Sequence, residues 1–277
     1  MTIRDYRVQV VNQASASENL MHSDEMAQRY GFAGALVAGV TVFGHMTYPL
    51  VREFGVAWLS GRVVELNLNK PAYDDDWLDI TSADTDSGVA TECYNASKTL
   101  LATVTTGIKD LTSPSDPRAM MSPADRNPPR EEITWDNFIV GAPFAAYTWR
   151  PDADLQRGAL DELQDDLDIY TVDTLGAPNT LNKGGDGPPV HPLLIAKEFN
   201  AGFTRHWLMP AWIHVTTRIT LRETLRLGDE VEIRTLPIER FERGGHQFGE
   251  LYMAFLVDGR VAAEGTHRAI FKVAERA

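Results

Sequence analysis

The sequence predicts an α+β fold built from two similar units that follow each other along the chain. Each unit has one long apolar helix candidate and a run of strand candidates separated by turn signals. Val37-Ala38-Gly39, near the start of the first helix, aligns with Val190-His191-Pro192, and the strand end Asn69-Lys70 aligns with Leu221-Arg222. Because residue identity between the aligned stretches is poor, the repeat concerns the order of the elements rather than the sequence itself.

The first unit begins with a strand and two helices. A strand is predicted over residues 5–11, and Ser23, followed by acidic residues, is a suitable N-cap for a short helix over 23–30. Residues 36–51 form the long helix candidate, and apolar side chains fall on nearly every side of it, which predicts a buried helix. Strands are then predicted over residues 62–69, 77–86, 89–96 and 99–109.

Two glycines and a proline lie inside the long helix candidate. Gly39 and Gly44 each cost a helix about 1 kcal/mol relative to alanine, so we expect a sheet or a ligand to approach the backbone closely there. Pro49 is expected to kink the helix or to end it near its last turn.

A proline-rich stretch over residues 110–132 predicts a linker between an N-terminal unit, residues 1–109, and a C-terminal unit, residues 133–277. The second unit repeats the scheme of the first. A strand is predicted over 143–149, a helix-compatible acidic stretch over 152–168, and a loop rich in Gly, Pro and Asn over 175–189. The apolar helix of this unit is predicted over 190–204, with strands over 213–225, 230–241, 247–257 and 260–273.

Composition excludes several classes of function. The net charge of −13, from 26 Lys+Arg and 39 Asp+Glu, argues against nucleic acid and against anionic membrane surfaces as partners. One cysteine, Cys93, excludes an internal disulfide framework, and its strand-like context predicts a small buried residue rather than a nucleophile. The first residues do not resemble a signal peptide, and no apolar run reaches the length of a membrane span, so we expect a cytoplasmic protein.

A polar loop before the long helix carries the most specific motif. It reads Ser17-Glu18-Asn19-Leu20-Met21-His22, and Gly31-Phe32 and Ala38-Gly39 follow it. This arrangement resembles the MaoC-like family of (R)-specific enoyl thioester hydratases and dehydratases, whose loop has Asp, any residue, Asn, usually Pro, any residue, and His. The resemblance implies a double hot-dog fold, in which two long helices are each wrapped by an antiparallel sheet. The sequence departs from the pattern at Ser17, Leu20 and Ala38, which stand where the family has Asp, Pro and His.

The resemblance also implies roles for these residues. Adding water across an enoyl thioester needs a base, a proton for C2 and stabilisation of the enolate oxygen. His22 would be the base, Asn19 would orient it, and the Gly39 N–H at the helix start would hold the carbonyl oxygen. Ser17, at the position of the catalytic Asp, cannot act as a carboxylic acid does. Contacts with the acyl thioester are expected from Phe32, Val37 and Ala38.

Plainer interpretations of the same residues remain open at this stage. Gly39 could serve only close packing, Asn19 could make a simple Asx turn, and His22 could have no chemical role. Glu18 and Asp24 are carboxylates near the missing Asp, although Asp24 is better explained as a charge at the start of the short helix.

The remaining histidines are weaker candidates. We expect His45 to be a satisfied core residue and His191 to open the second long helix. His206, His214, His246 and His267 follow no metal-ligand spacing, so neither a metal nor another cofactor is expected.

The acyl group, and CoA or an acyl carrier protein as its carrier, are not specified, and homo-oligomerisation is left open. The alternatives to a hydratase are a thioesterase, another enzyme acting on acyl thioesters, or a non-catalytic acyl-binding subunit.

Overall fold

A computed structural model of the chain describes residues 3–14, 17–107, 114–171 and 187–274. Its helices are α1 (Asp24–Arg29), α2 (Gly39–Phe54), α3 (Ala153–Leu163) and α4 (Pro192–Thr204). The strands of the N-terminal unit are β1 (Ile3–Gln9), β2 (Arg62–Leu68), β3 (Trp77–Thr85), β4 (Gly88–Asn95) and β5 (Leu100–Gly107). Those that follow are β6 (Glu131–Glu132), β7 (Tyr147–Trp149), β8 (Trp207–Leu208), β9 (Ile213–Leu221), β10 (Val231–Arg243), β11 (His246–Val257) and β12 (Arg260–Lys272).

Ten of the strands form one antiparallel sheet that runs through both units, in the order β1-β3-β4-β5-β2-β9-β12-β11-β10-β7. The two units meet in the middle of the sheet, where β2 pairs with β9 and Leu66 lies opposite Thr217. The helices α2 and α4 contact each other. Buried residues of both helices, such as Phe43 and Phe199, belong to one apolar cluster together with strand residues. This is the predicted double hot-dog fold, with the two sheets joined edge to edge.

The chain enters the two long helices in the same way. Val37 N–H donates to Ala72 O at 2.9 Å, and Val190 N–H donates to Leu225 O at 2.8 Å. Ala38 and His191 are the N-cap residues of α2 and α4. The predicted alignment of the two helix starts is therefore confirmed, as is the prediction that His191 opens the second helix.

Several predicted bounds were wrong. Both long helices begin later than predicted, because the residues before each N-cap are extended and pair with a neighbouring segment. Pro49 does not end α2, which continues to Phe54 and stops at Gly55, where φ is +59°. The strand predicted over 143–149 shrinks to β7, and the parallel pair of β6 and β8 was not predicted.

The proline-rich segment also differs from a plain linker. Ala119, in a short 3₁₀ helix over Pro117–Met120, is buried against the apolar side chains of Leu236 and Leu256. The two unit boundaries stay predictions. The loop predicted over residues 175–189 lies outside the described residues up to residue 186.

Two single-residue predictions have different outcomes. Cys93 is buried in β4, as predicted, and burial raises the pKa of its thiol to about 12. His45 is buried in α2, but its Nδ1 has no hydrogen-bond partner among the described residues, so it is not a satisfied core residue. Burial lowers the pKa of His45 to about 4, so the imidazole is neutral.

Candidate functional site

A cavity of about 530 Å³ lies where the loop before α2 meets the start of β9. Its N-terminal wall includes the sequence-predicted residues Asn19, His22, Phe32, Val37, Ala38 and Gly39. Apolar side chains from α2, β2, β11 and β12 line the inner part, among them Val42, Leu68, Phe248 and Ile270. Ser17 is not among the lining residues. It is exposed, and its hydroxyl donates to the Asn19 carbonyl at 3.4 Å.

His22 is half-buried at the end of a short 3₁₀ helix over Leu20–His22. Its Nδ1 lies 2.6 Å from Leu36 O, and because a carbonyl only accepts, Nδ1 carries the proton. Nε2 is therefore unprotonated and accepts from Asn19 Nδ2 at 3.3 Å. Burial lowers the pKa of His22 below its ordinary value, opposed by the bond to Leu36. The imidazole is thus neutral at neutral pH and has its lone pair on Nε2.

The Asn19 amide joins the two units. Its Oδ1 accepts from Met21 N at 3.2 Å and from Trp212 N at 3.3 Å. Its Nδ2 donates to Trp212 O at 3.1 Å as well as to His22 Nε2. Asn19 therefore makes the predicted Asx-type turn, holds the loop against the second unit and contacts the His22 imidazole at the same time.

The carboxylates considered as replacements for the missing Asp do not reach the cavity. Glu18 is exposed and forms an ion pair with Arg130, which lowers the pKa of Glu18. Asp24 is an acidic residue in the first turn of α1, as predicted, and it also accepts from Ala35 N at 2.8 Å, which fixes the loop between α1 and α2. Among the described residues that line the cavity, none carries a carboxylate.

The start of α2 faces the cavity without a side-chain cap. Ala38, the N-cap residue, has no side-chain group to occupy the free N–H groups of the first turn. A Cβ atom built on Gly39 would lie 2.2 Å from Leu68 Cδ1 and 3.2 Å from His214 Nδ1. Glycine at this position therefore allows close packing, and it also leaves the helix start lining the cavity.

Sequence reasoning missed a row of three buried polar residues in the second unit. His214 Nε2 lies 2.6 Å from Thr217 Oγ1, which lies 2.7 Å from His267 Nδ1. His214 also lines the cavity, and its Nδ1 has no hydrogen-bond partner among the described residues. Burial lowers the pKa of His214 to about 3 and that of His267 well below its ordinary value, so both rings are neutral.

A β-bulge explains why the strand pattern did not reveal this row. Along β9 and β12, Thr216 pairs with Arg268 and His214 pairs with Ala269, so Val215 is extra. The bulge places His214 and Thr217 on one side of β9, whereas strict alternation would separate them. The available signal was the presence of histidines in two apolar strands.

Cationic side chains lie where the cavity is open to solvent. Lys70, just after β2, and Arg243, at the end of β10, both line the cavity and are exposed. They add two positive charges to a mostly apolar cavity wall, although the chain as a whole is strongly acidic.

No metal site is apparent in the part of the chain that the structure describes, where no three His, Cys, Asp or Glu residues are grouped to hold an ion. None of the described helices has both the length and the apolar character needed to cross a bilayer.

The arrangement defines a double hot-dog protein with a cavity lined by residues of both units. Comparison of the sequence with protein-family models and with characterised proteins gives no match. Solved structures nevertheless align over nearly the whole chain. A protein from Chloroflexus aurantiacus described as a MaoC domain dehydratase is 11% identical, covers 97% of this chain and 93% of its own, and has a TM-score of 0.64.

Two further structures share the fold, and one of them is described as a different kind of enzyme. A conserved hypothetical protein from Mycobacterium tuberculosis with a double hot-dog fold is 11% identical, covers 97% of this chain and 95% of its own, and has a TM-score of 0.57. A protein from Lactobacillus plantarum described as an oleoyl thioesterase is 10% identical, covers 99% and 98%, and has a TM-score of 0.50. At these identities the likeness establishes the fold alone.

Proposed function

We propose that the chain is a MaoC-like enzyme that adds water to an enoyl thioester or removes it from a 3-hydroxyacyl thioester. The observation that carries the proposal is the pairing of His22 and Asn19 in a cavity that also contains the uncapped start of α2. The apolar inner part of the cavity suits an acyl chain, and the exposed Lys70 and Arg243 suit the phosphates of CoA or of the phosphopantetheine arm of a carrier protein.

One imidazole can move both protons of the hydration. Water first displaces the Asn19 N–H from the lone pair of His22 Nε2. Nε2 then takes a proton from this water while the oxygen bonds to C3, and the electrons of the C2–C3 double bond move toward the thioester carbonyl. The Gly39 N–H stabilises the negative oxygen that results, because helix N-terminal amides favour developing negative charge. The His22 imidazolium then returns its proton to C2, which leaves the catalyst unchanged and water added across the bond.

The lack of a carboxylate in the cavity shapes this proposal. The described cavity wall has no acidic partner for His22, so the imidazole works with the neutral amide of Asn19. Without a carboxylate to stabilise the imidazolium, the pKa of His22 stays low, and we expect a slower hydration than an Asp–His pair would give.

The test is the loss of enoyl absorbance when purified protein is mixed with crotonyl-CoA and with longer enoyl-CoAs. His22→Ala should lower the rate by about 10²–10⁴-fold, the usual contribution of a general acid–base group. Ser17→Ala is the matched control, and because Ser17 is exposed outside the cavity wall we expect a change of about twofold at most. Equal rates in wild type and His22→Ala would refute the assignment of the base.

A thioesterase is the second candidate, and the missing carboxylate is the observation that favours it. Water activated by His22 would attack the thioester carbonyl instead of C3, with the same helix start stabilising the oxyanion. Release of free thiol from saturated acyl-CoAs, with no change in enoyl absorbance, would select hydrolysis. Tight binding of acyl-CoA without turnover of any substrate would select a non-catalytic acyl-binding subunit.

A further inference from the structure

The His214 side chain stands out because its Nδ1 makes no hydrogen bond within the described residues. The residue is 6% exposed and lines the cavity, and its buried Nδ1 has no hydrogen-bond partner among the described residues. A buried polar atom without a partner costs about 1–3 kcal/mol, and a ligand in the adjoining cavity is one way to supply that partner. Nδ1 lies 3.2 Å from the point where Gly39 would carry a Cβ, which places it beside the start of α2.

Thr217 links the protonation of the two histidines on either side of it. Its hydroxyl has one proton, so it donates to one imidazole nitrogen and accepts from the other. If Thr217 donates to His214 Nε2, then His267 Nδ1 carries a proton and donates to Thr217, and the His214 proton lies on Nδ1. If the hydroxyl donates to His267 instead, His214 Nδ1 has only a lone pair.

We propose that His214 Nδ1–H is a second hydrogen-bond donor to the carbonyl oxygen of the bound acyl thioester, next to the Gly39 N–H, and that Thr217 and His267 hold the proton on Nδ1. The proposal rests on the proposed function, because it assigns a further residue to the same thioester site. A carbonyl oxygen near Gly39 favours the first of the two hydroxyl orientations, since only that orientation gives it an N–H to accept from. No proton is transferred, and His214 acts as a neutral donor to a charge that grows during reaction.

The burial of His214 supports this role. Because the imidazole is neutral at neutral pH, it forms no ion pair with the substrate before reaction. Its rigid attachment to Thr217 and to β9 means that little reorganisation is needed when the carbonyl oxygen becomes an enolate. The bulge at Val215 places His214 on the same side of β9 as Thr217, which allows their hydrogen bond.

Matched variants separate the donor from the bulk of the ring. His214→Asn keeps an N–H group close to the position of Nδ1, and His214→Leu removes it at similar volume. Thr217→Ser keeps the hydroxyl, whereas Thr217→Val removes it. Thr235→Val is the control for a lost hydroxyl, because Thr235 is also buried in a strand of the second unit, has no partner for Oγ1 among the described residues, and does not line the cavity.

Infrared difference spectroscopy of bound butanoyl-CoA labelled with ¹³C at the carbonyl tests the contact itself. This thioester has no C2–C3 double bond, so its binding does not depend on hydration. We expect the carbonyl band to shift to lower wavenumber on binding to wild type, His214→Asn, Thr217→Ser and Thr235→Val, and to shift less in His214→Leu and Thr217→Val. With crotonyl-CoA, His214→Leu should lose about 10²–10³-fold in kcat with little change in KM, the usual effect of removing one oxyanion donor.

The outcomes separate this inference from the proposed function. An equal band shift in wild type, His214→Leu and Thr217→Val would overturn the donor role even if hydration occurs. A band shift that depends on His214, in a protein that never hydrates an enoyl-CoA, would support the donor and refute the hydratase. Should His214→Leu fail to fold, the Thr217→Ser and Thr217→Val pair gives the same comparison.

Discussion

The two long helices begin at equivalent points of the fold, but only α2 begins at the cavity. At α2 the N-cap is Ala38, without a side-chain cap, and the first helical residue is Gly39. At α4 the N-cap is His191, whose Nδ1 accepts from Leu193 N at 3.0 Å, and the first helical residue is Pro192, which has no N–H. The orphan amides of one helix are thus available to a ligand, and those of the other are already occupied or absent.

The chain before α4 closes that helix start with polar side chains. Gln156, from α3, accepts from His191 N at 3.0 Å and donates to Pro189 O at 2.9 Å and Tyr170 O at 3.2 Å. His191 Nε2 donates to the buried Asp165 at 3.1 Å. The segment containing α3 lies before α4 in the chain, and in the first unit the short helix α1 and the cavity wall occupy the corresponding stretch. The two helix starts are equivalent in the fold, but the α2 start is open to the cavity, whereas the α4 start is closed by side chains that stabilise it.

Of changes at the two helix starts, filling the open start of α2 should have the larger effect on turnover. Gly39→Ala puts a Cβ against Leu68 and His214, so we expect about 1–3 kcal/mol less stability from overpacking. We also expect a loss of about 10²-fold in hydratase rate, because the added methyl group displaces the carbonyl oxygen from the helix amides. Chemical denaturation and the enoyl absorbance assay measure the two effects separately.

The double variant Gly39→Ala/Leu68→Ala decides what Gly39 is for. Removing the Leu68 side chain relieves the clash, and Leu68→Ala alone is the control for the altered cavity wall. If the double variant regains stability but stays slow, the helix start needs a bare backbone for its ligand. A double variant as fast as Leu68→Ala alone would instead establish that Gly39 serves only packing.

Opening the closed start should affect stability and leave turnover unchanged. Gln156→Ala removes the partners of three buried backbone groups, and each unsatisfied group costs about 1–3 kcal/mol, so we expect a loss of about 3 kcal/mol or more. Gln156 does not line the cavity, so the rate per folded molecule should remain within about twofold of wild type. A large drop in kcat with unchanged unfolding free energy would mean that the α4 start contributes to turnover rather than to stability.

The comparison also explains how much the sequence could predict. Element order, the doubled scheme and the alignment of Ala38 with His191 follow from hydrophobic pattern and turn residues, which act locally. The loop motif located Asn19, His22 and Gly39 in one cavity because those residues are close in sequence to the helix they precede. Local sequence signals are therefore sufficient to predict the residues of one wall of the cavity.

The other wall depends on contacts between residues far apart in the chain. Trp212 reaches Asn19 through its backbone atoms, which any residue type supplies, and no side-chain pattern marks such a contact. His214 lies on the same side of β9 as Thr217 because of a bulge, and a bulge breaks the alternation from which strand faces are predicted. The sequence does not predict the contacts of Gln156 at the start of α4 either, because a single Gln in a polar helix indicates an exposed residue, whereas Gln156 is buried.

The pH dependence of turnover should reflect the low pKa of His22. The base must be neutral, and burial lowers its pKa below the ordinary value of about 6.5, so kcat/KM should stay flat from pH 8 down to about 6.5. Below the shifted pKa it should fall by about tenfold per pH unit, because the protonated imidazole cannot accept a proton. An acid limb that begins above pH 6.5 would contradict the neutral, buried His22. His191, at the closed start, is the control, because His191→Asn should leave the position of the limb unchanged.

The smallest expected effect concerns the two exposed cations that line the cavity, Lys70 and Arg243. Lys70→Ala and Arg243→Ala should each raise KM for an enoyl-CoA by a few-fold and leave kcat unchanged, because a solvent-exposed cation attracts a phosphate through a screened interaction. Raising the salt concentration should raise KM for wild type and have less effect on the double variant. Lys98→Ala, in the turn between β4 and β5, removes an exposed cation that does not line the cavity, and its KM should match that of wild type. Equal salt dependence in wild type and the Lys70→Ala/Arg243→Ala double variant would mean that the two cations do not contact the carrier, and would leave the apolar wall and the α2 start as the source of affinity.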